Sequence, residues 1–342
     1  MLHDRFELVE VAWLSSFKEF VEQFRVPFMS KRSAKLKKTF DLLHFSVFLR
    51  DNYLPMQLIL DVGSTKMEWI VLDENAVKQR FSTEGFNPNY TERQYLEDTV
   101  ESVIKQKLVS QESIHFVHYY GTGCGSEQNC LLIKEVFQKW FPNAEIHVTH
   151  DLMAACHALL GHEKGIACIL GTGSNSCCFD GETIREKAVS LGYLVGDEGS
   201  GMHIGREVVK AYFYGFMPED LKCKFDAEYH LERTDFINRL YHEKQPSRYL
   251  ASFAKFAGQN QNDPYIRDLL KGIFNTFIKV FILRFEQCKL LKISFVGSVA
   301  FHFQELLKES LAEHGLMLSE VMRTPSEGLI RYYGDSKNKN AT

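Results

Sequence analysis

The stretch Leu58-Ile-Leu-Asp-Val-Gly-Ser-Thr-Lys66 decides the fold. An apolar run enters a Gly/Ser/Thr turn, and a second apolar run, Met67–Leu72, leaves it, which predicts two strands joined tightly. Glycine lets such a turn approach a ligand closely, with backbone N–H groups pointing into one small volume. The same grammar returns in Ile166-Ala-Cys-Ile-Leu-Gly-Thr-Gly-Ser-Asn175. One turn alone is weak evidence. Two in corresponding contexts, with an acid between them, point to a pair of loops that clamp a polyphosphate.

Around the first turn the spacing predicts strands Leu58–Val62, Met67–Leu72 and Val77–Thr83, with Asp73-Glu-Asn75 as a turn. Helix Tyr95–Leu108, strand Ile114–Tyr120, helix Ser126–Phe141, strand Glu145–Val148 and helix Asp151–Leu160, opened by its own aspartate, follow. The pattern then restarts with strands Ile166–Leu170, Ser176–Phe179 and Thr183–Glu186, the last two joined at Asp180-Gly181. In the helical region beyond, Asp263-Pro264 reads as an N-cap with proline at N1, opening a helix to about Leu290. Strand Ile293–Val296, helix Phe303–His314 and a last helix from Leu329 complete the reading. The expected fold is α/β and duplicated, with a cleft between the halves, and such clefts hold ligands. The expected domains are 56–162, with a C-terminal helix of about 328–342 packing back on it, and 163–327. Residues 1–55, with the basic Lys31-Arg-Ser-Ala-Lys-Leu-Lys-Lys38, read as a helical extension, and Met56 as an alternative start.

The chain has 342 residues, 45% hydrophobic and 25% charged, with net charge −4 and no basic block in its body, which disfavours a nucleic-acid partner. No apolar run is long enough for a membrane span, and no secretory signal is visible. The eight cysteines include no C-x-x-C pair, which fits reduced thiols and a cytoplasmic location rather than zinc or disulfides. The pairs His115/His118 and His147/His150 tempt a metal reading, but on strands positions i and i+3 face opposite ways.

The set Asp61-Val-Gly-Ser-Thr-Lys66, Leu170-Gly-Thr-Gly-Ser-Asn175, Gly196-Asp-Glu-Gly-Ser200 and Val296-Gly-Ser298 resembles the actin/hexokinase/Hsp70 ATPase superfamily. Within it, the chain looks most like the N-acetylglucosamine kinase branch grouped with the BadF-type ATPases. The resemblance covers Met56 to about Tyr333 and implies duplicated ribonuclease H-like domains. It implies a first phosphate loop over Gly63, Ser64, Thr65 and Lys66, with Asp61 holding Mg²⁺ through water. It implies a second phosphate loop over Gly171, Thr172, Gly173 and Ser174, and Gly297-Ser298 beside the adenosine of ATP. Asp151 matches the family's catalytic base, and Asn87, Asn175 and Asp197 match residues that bind sugar hydroxyls. The segment Leu191-Gly-Tyr-Leu-Val195 departs from the branch's usual glycine-rich approach to the Gly-Asp-Glu-Gly turn.

The chemistry suits these residue types. Phosphoryl transfer is catalysed mostly by positioning and electrostatics, with Mg²⁺ bridging phosphates and a carboxylate orienting the nucleophile. Each candidate has a plainer alternative. Asp151 would serve as a helix N-cap, Lys66 as an exposed lysine, and Asn87 and Asn175 as turn residues. The expected activity is an ATP-dependent kinase acting on the 6-hydroxyl of N-acetylglucosamine or a related amino sugar, with a homodimer left open. ROK kinases are disfavoured by the missing Cys-rich zinc motif. The alternatives are an activator ATPase of the 2-hydroxyacyl-CoA dehydratase type, with Cys124 of Gly121-Thr-Gly-Cys-Gly125 as a cluster ligand, and a non-catalytic nucleotide- or sugar-binding protein.

Overall fold

A computed structural model describes residues 56–73, 76–108, 111–242 and 245–334. The readings of residues 1–55, of the turn at 74–75 and of 335–342 lie outside the described residues. The remainder clusters as one compact unit.

Two five-stranded sheets share one plan. The first orders its strands β3-β2-β1-β4-β5: β1 is Met56–Val62, β2 Lys66–Asp73, β3 Ala76–Glu84, β4 Ile114–Gly121 and β5 Glu145–His150. β1, β2 and β3 pair antiparallel, while β4 and β5 run parallel to β1. The second orders its strands β10-β9-β6-β7-β8: β6 is Gly165–Leu170, β7 Ser174–Phe179, β8 Ile184–Lys187, β9 Lys292–Val296 and β10 Leu318–Met322. Its directions repeat those of the first, so β6 corresponds to β1 and β9 to β4. The duplication read from the two turns is therefore present strand for strand. β10 was not expected; it is a short parallel edge strand of five residues whose side chains are mostly only partly buried.

The first half carries α1 (Arg93–Gln106), α2 (Glu127–Trp140) and α3 (Asp151–Leu160). The second carries α4 (Gly201–Phe213), α5 (Glu219–Tyr229), α6 (Arg233–His242), α7 (Pro246–Ser252), α8 (Ala254–Gln259), α9 (Pro264–Phe277), α10 (Ser298–His302), α11 (Gln304–Glu313) and α12 (Ser326–Gly334). Asp263 caps α9 as expected, its side chain accepting from the amides of Tyr265 and Ile266. The helix does not run to Leu290: it widens into a π turn over Ile278–Ile282 and stops there. Ile278, Phe281 and Ile282 of that turn stay buried and continue the buried face of Ile273, Phe274 and Phe277.

Helix α3 is apolar on every side, as a helix enclosed by protein must be. Leu152, Ala155, Cys156, Leu159 and Leu160 pack with Ala167, Cys177, Phe179 and Val296 of the second sheet. Ala154 and Ala158 pack with Ile59, Ile70 and Tyr120 of the first, and Leu329 of α12 joins them. The helix thus lies between the sheets, and Asp151 stands at its first turn. Asp151 is not the N-cap: His150 is, its Nδ1 accepting from the Met153 amide at 3.3 Å. Asp151, at the first helical position, is instead engaged by the free backbone amides of Leu152 and of itself.

Buried histidines give the fold a pH signature. His118 stacks on Tyr333 at 4.0 Å and on His147, its cross-strand partner, at 5.4 Å. Burial, then the neighbouring His147 and His157, pushes His118 down to about 3; burial, then His162, pushes His157 down to about 4. The unfolded chain binds these protons near pH 6.5 and the folded chain does not, so stability is full above that value and falls as pH drops toward 4. The raised Asp61 carboxyl takes up a proton over the same range and opposes this, so the rings are best read directly: by NMR titration His118 and His157 are expected to stay neutral down to about pH 5. Titration of either ring near 6.5 would show that it protonates freely in the native state.

Candidate active site

The first turn is set by backbone. The Gly63 amide donates to the Lys66 carbonyl at 2.9 Å, and the Phe86 amide to the Gly63 carbonyl at 3.1 Å. Gly85 makes this possible: a Cβ there would fall on the Gly63 carbonyl oxygen and lie 2.5 Å from the amide nitrogens of Thr65 and Lys66. Next to it, the Asn87 Nδ2 donates to Ser64 Oγ at 3.3 Å, and its Oδ1 accepts from the Asn89 amide at 3.0 Å. The Thr122 amide donates to the Val62 carbonyl, bringing the 121–125 turn alongside. Asn129 ties that turn to the Asn87 loop, donating to the carbonyl of Gly123 and the side chain of Asn89.

The second turn sits at the start of α4. The Gly201 and Met202 amides donate to the carbonyls of Gly171 and Thr172. Ser174 and Asn175 belong to β7, which begins two residues earlier than expected, and Asn175 Oδ1 accepts from the Ser176 amide. Ser174 Oγ is buried without a hydrogen-bond partner among the described residues, and such orphaned hydroxyls are uncommon unless a ligand or water completes them. The Ser174 amide donates to Asp197 Oδ1 at 3.2 Å. Asp197 holds a left-handed backbone at φ 57°, a conformation that aspartate tolerates and that marks a loop constrained by its surroundings. Gly297, at φ 132°, closes the other side; a Cβ there would fall on the Leu170 carbonyl oxygen.

The carboxylates converge. Burial, then the charges of Glu68 and Asp151, pushes Asp61 up to about 7, with Lys66 partly opposing. Burial raises Asp151 above the ordinary carboxylate range, partly offset by the backbone amides of Leu152 and of Asp151 itself. Burial also raises Asp197, the Ser174 amide opposes this, and Glu198 and Asp151 add to it. Asp151 therefore lies within electrostatic reach of an acid from each half. Asp61 and Asp151 both keep some solvent contact, as carboxylates lining a crevice do.

Glu68 was missed in the sequence because it sits mid-strand among apolar residues. It lies across from Asp61 in register and is buried. Burial works against its charge, but hydrogen bonds from Arg80 at 2.6 Å and Lys66 at 3.1 Å outweigh that and hold it below the ordinary range. Lys66 is thus committed to Glu68 in this structure, and Arg80 also pairs with Glu327 of α12. Cys124 is buried, and burial, with Cys130 and Asp151 nearby, pushes its thiol up to about 12, which keeps it protonated. Among the described residues no cluster of three His, Cys, Asp or Glu side chains is arranged to hold a metal, and no helix is long and apolar enough to cross a membrane.

A pocket of about 450 Å³ opens beside the second turn. Gly171, Thr172 and Ser298 line it, with Ala251, Ala254, Gly258, Val299 and Phe303 as an apolar slot and Lys255, Gln259, Gln261 and His302 as polar groups. Only Gly171, Thr172 and Ser298 were anticipated, because the other lining residues belong to no motif.

The sequence profile of the BadF/BadG/BcrA/BcrD ATPase family matches residues 60–326. A crystal structure of a candidate N-acetylglucosamine kinase from Porphyromonas gingivalis is 38% identical, covers 82% of this chain and 99% of its own, and superposes with a TM-score of 0.77. A second, also a candidate N-acetylglucosamine kinase, from Chromobacterium violaceum, is 13% identical with a TM-score of 0.65 over 82% of this chain and 99% of that one. At that identity the likeness is one of fold.

Proposed function

Because the chain belongs to the BadF/BadG/BcrA/BcrD ATPase family, we propose that it is an ATP-dependent sugar kinase. Its acceptor is the 6-hydroxyl of N-acetylglucosamine or a related amino sugar. The observation that carries the reading is that Asp151 lies within electrostatic reach of Asp61 from one half and of Asp197 from the other. The name of the Porphyromonas gingivalis relative supports the sugar class.

In this reading the backbone amides of Gly63–Lys66 and Gly171–Ser174 hold the phosphates, and the apolar slot beside Ser298 takes the nucleoside. Asn87 and Asp197 hold sugar hydroxyls, with Asn175 beside them. Asp151 Oδ aligns the acceptor hydroxyl and takes its proton as the new bond to the γ-phosphorus forms and the bond from that phosphorus to the bridging oxygen breaks, ADP leaving with the electron pair. Its raised pKa makes it a stronger base than an ordinary aspartate. A cation fits at Asp61, since burial and two neighbouring carboxylates disfavour bare negative charge there. Magnesium usually takes one or two carboxylates and completes its shell with water and substrate phosphates. Bound there, it would neutralise charge on the phosphates. Cys124 is buried in the core of the first half, which gives its sulfur no open face toward the cluster that a dehydratase activator needs.

Transfer of label from [γ-³²P]ATP to N-acetylglucosamine, with the product assigned by NMR, tests the proposal; label appearing only as inorganic phosphate refutes it. Ala254→Trp fills the slot, and the KM for ATP is expected to rise by about tenfold or more with the sugar KM little changed. An unchanged KM for ATP would place the nucleoside elsewhere.

A further inference from the structure

Helix α3 faces both sheets mainly through alanines and other apolar side chains. Such packing is non-directional, so it holds the helix in place without fixing its rotation or its slide along the axis. Directional contacts must do that. At the N-terminal end there is the His150 cap. At the other end a part-buried polar chain crosses three elements. Tyr120 Oη, at the end of β4, lies 2.7 Å from His157 Nδ1 in the last turn of α3 and 2.6 Å from Tyr333 Oη in α12. The rings are themselves wedged: His157 stacks on Tyr332 at 4.1 Å and meets the edge of Phe179 from β7, and Tyr333 stacks on His118.

Either tyrosine hydroxyl can be the donor in its pair; with His157 neutral and Nδ1 as the acceptor, Tyr120 donates to His157 and Tyr333 donates to Tyr120. Burial keeps that imidazole neutral, pushed down to about 4. α12 is anchored at its other end too, where Glu327 pairs with Arg80, the partner of Glu68 opposite Asp61. His157 stands six residues from Asp151, about 9 Å along the helix axis.

We propose that Tyr333, Tyr120 and His157 form a positioning chain that fixes the rotation of α3 and so aims the Asp151 carboxylate at the acceptor hydroxyl. These three are positioning residues, and the proposal rests on Asp151 being the base. A small rotation of α3 displaces the carboxylate, and a misplacement of about 1 Å can cost on the order of 10²-fold in rate.

Tyr120→Phe keeps the ring and its packing and removes only the hydroxyl. Its kcat is expected to fall by about tenfold, with the KM for ATP and for sugar changed by less than about twofold. Hydrogen–deuterium exchange over residues 150–160 is expected to rise in the same variant, measured without substrates. His157→Gln returns an acceptor to Tyr120 and is expected to keep more activity than His157→Leu. Unchanged kcat, or unchanged exchange across α3, in Tyr120→Phe overturns the proposal, as does a parallel rise in both KM values that accounts for the whole loss. Exchange in α3 is read without turnover. Full activity in Asp151→Asn would therefore sink the base assignment while the exchange data still report on the chain.

Discussion

Asp151→Asn is expected to cut sugar-dependent ADP release by about 10²–10⁴-fold, the contribution of a positioned general base. Asparagine keeps the shape and can still touch the acceptor hydroxyl, but it cannot take the proton. ATP affinity, measured by calorimetry, is expected to hold, because no nucleotide contact passes through this side chain in the proposed site. The side-chain cap belongs to His150 and is kept in the variant, and a melting temperature near that of the wild type would separate lost chemistry from a lost contact to the Leu152 amide. The wild-type pH profile carries the same information. The base works ionised, its pKa is raised chiefly by burial, and kcat/KM should fall as pH drops through that raised value rather than through the ordinary aspartate range. Near-normal turnover in the variant would remove Asp151 from the chemistry.

Gly85→Ala is expected to have the largest effect away from the carboxylates. The added methyl meets backbone rather than a flexible side chain: the Gly63 carbonyl and the amides of Thr65 and Lys66. Either the first turn opens or β3 shifts, at a cost of about 3 kcal/mol, the upper range for overpacking. For a chain of this size that lowers the melting temperature by roughly 4–5 °C. The KM for ATP should rise with it, because the displaced amides are those proposed to hold phosphate. Gly125→Ala, where a Cβ meets nothing within 4 Å, is the control and should change neither. An undisturbed melting temperature and KM in Gly85→Ala would mean that the turn is not held as described.

The duplicated sheets were legible because each half opens with an apolar run and a glycine turn, and both signals are local. The cap of α9 was legible for the same reason, since Asp263-Pro264 announces it. What could not be read depended on partners distant in sequence. Glu68 looked like a flaw in a buried strand until Arg80 and Lys66 closed on it. His118 and His147 were weighed within single strands, whereas they meet across strands, in register. The pocket wall at Ala251, Ala254 and Gly258 advertised nothing, because a slot is made by what side chains leave out. The end of α9 was placed too late because a π turn preserves apolar periodicity while changing the backbone. Among the candidate site residues, Asp61, Asp151 and Asp197 are brought together, Asn87 is joined to the first turn through Ser64, and Lys66 is taken up by Glu68.

The central claim is that one crevice holds ATP and a sugar hydroxyl at the same time. Coupled ADP release by the full chain, with Mg²⁺ and ATP fixed, should be recorded with no acceptor and then with N-acetylglucosamine, N-acetylmannosamine, N-acetylmuramic acid, glucosamine and glucose in turn. The account predicts little release without acceptor and at least about tenfold stimulation by one of the amino sugars, saturating with concentration. ADP release that is identical with and without every sugar would contradict it.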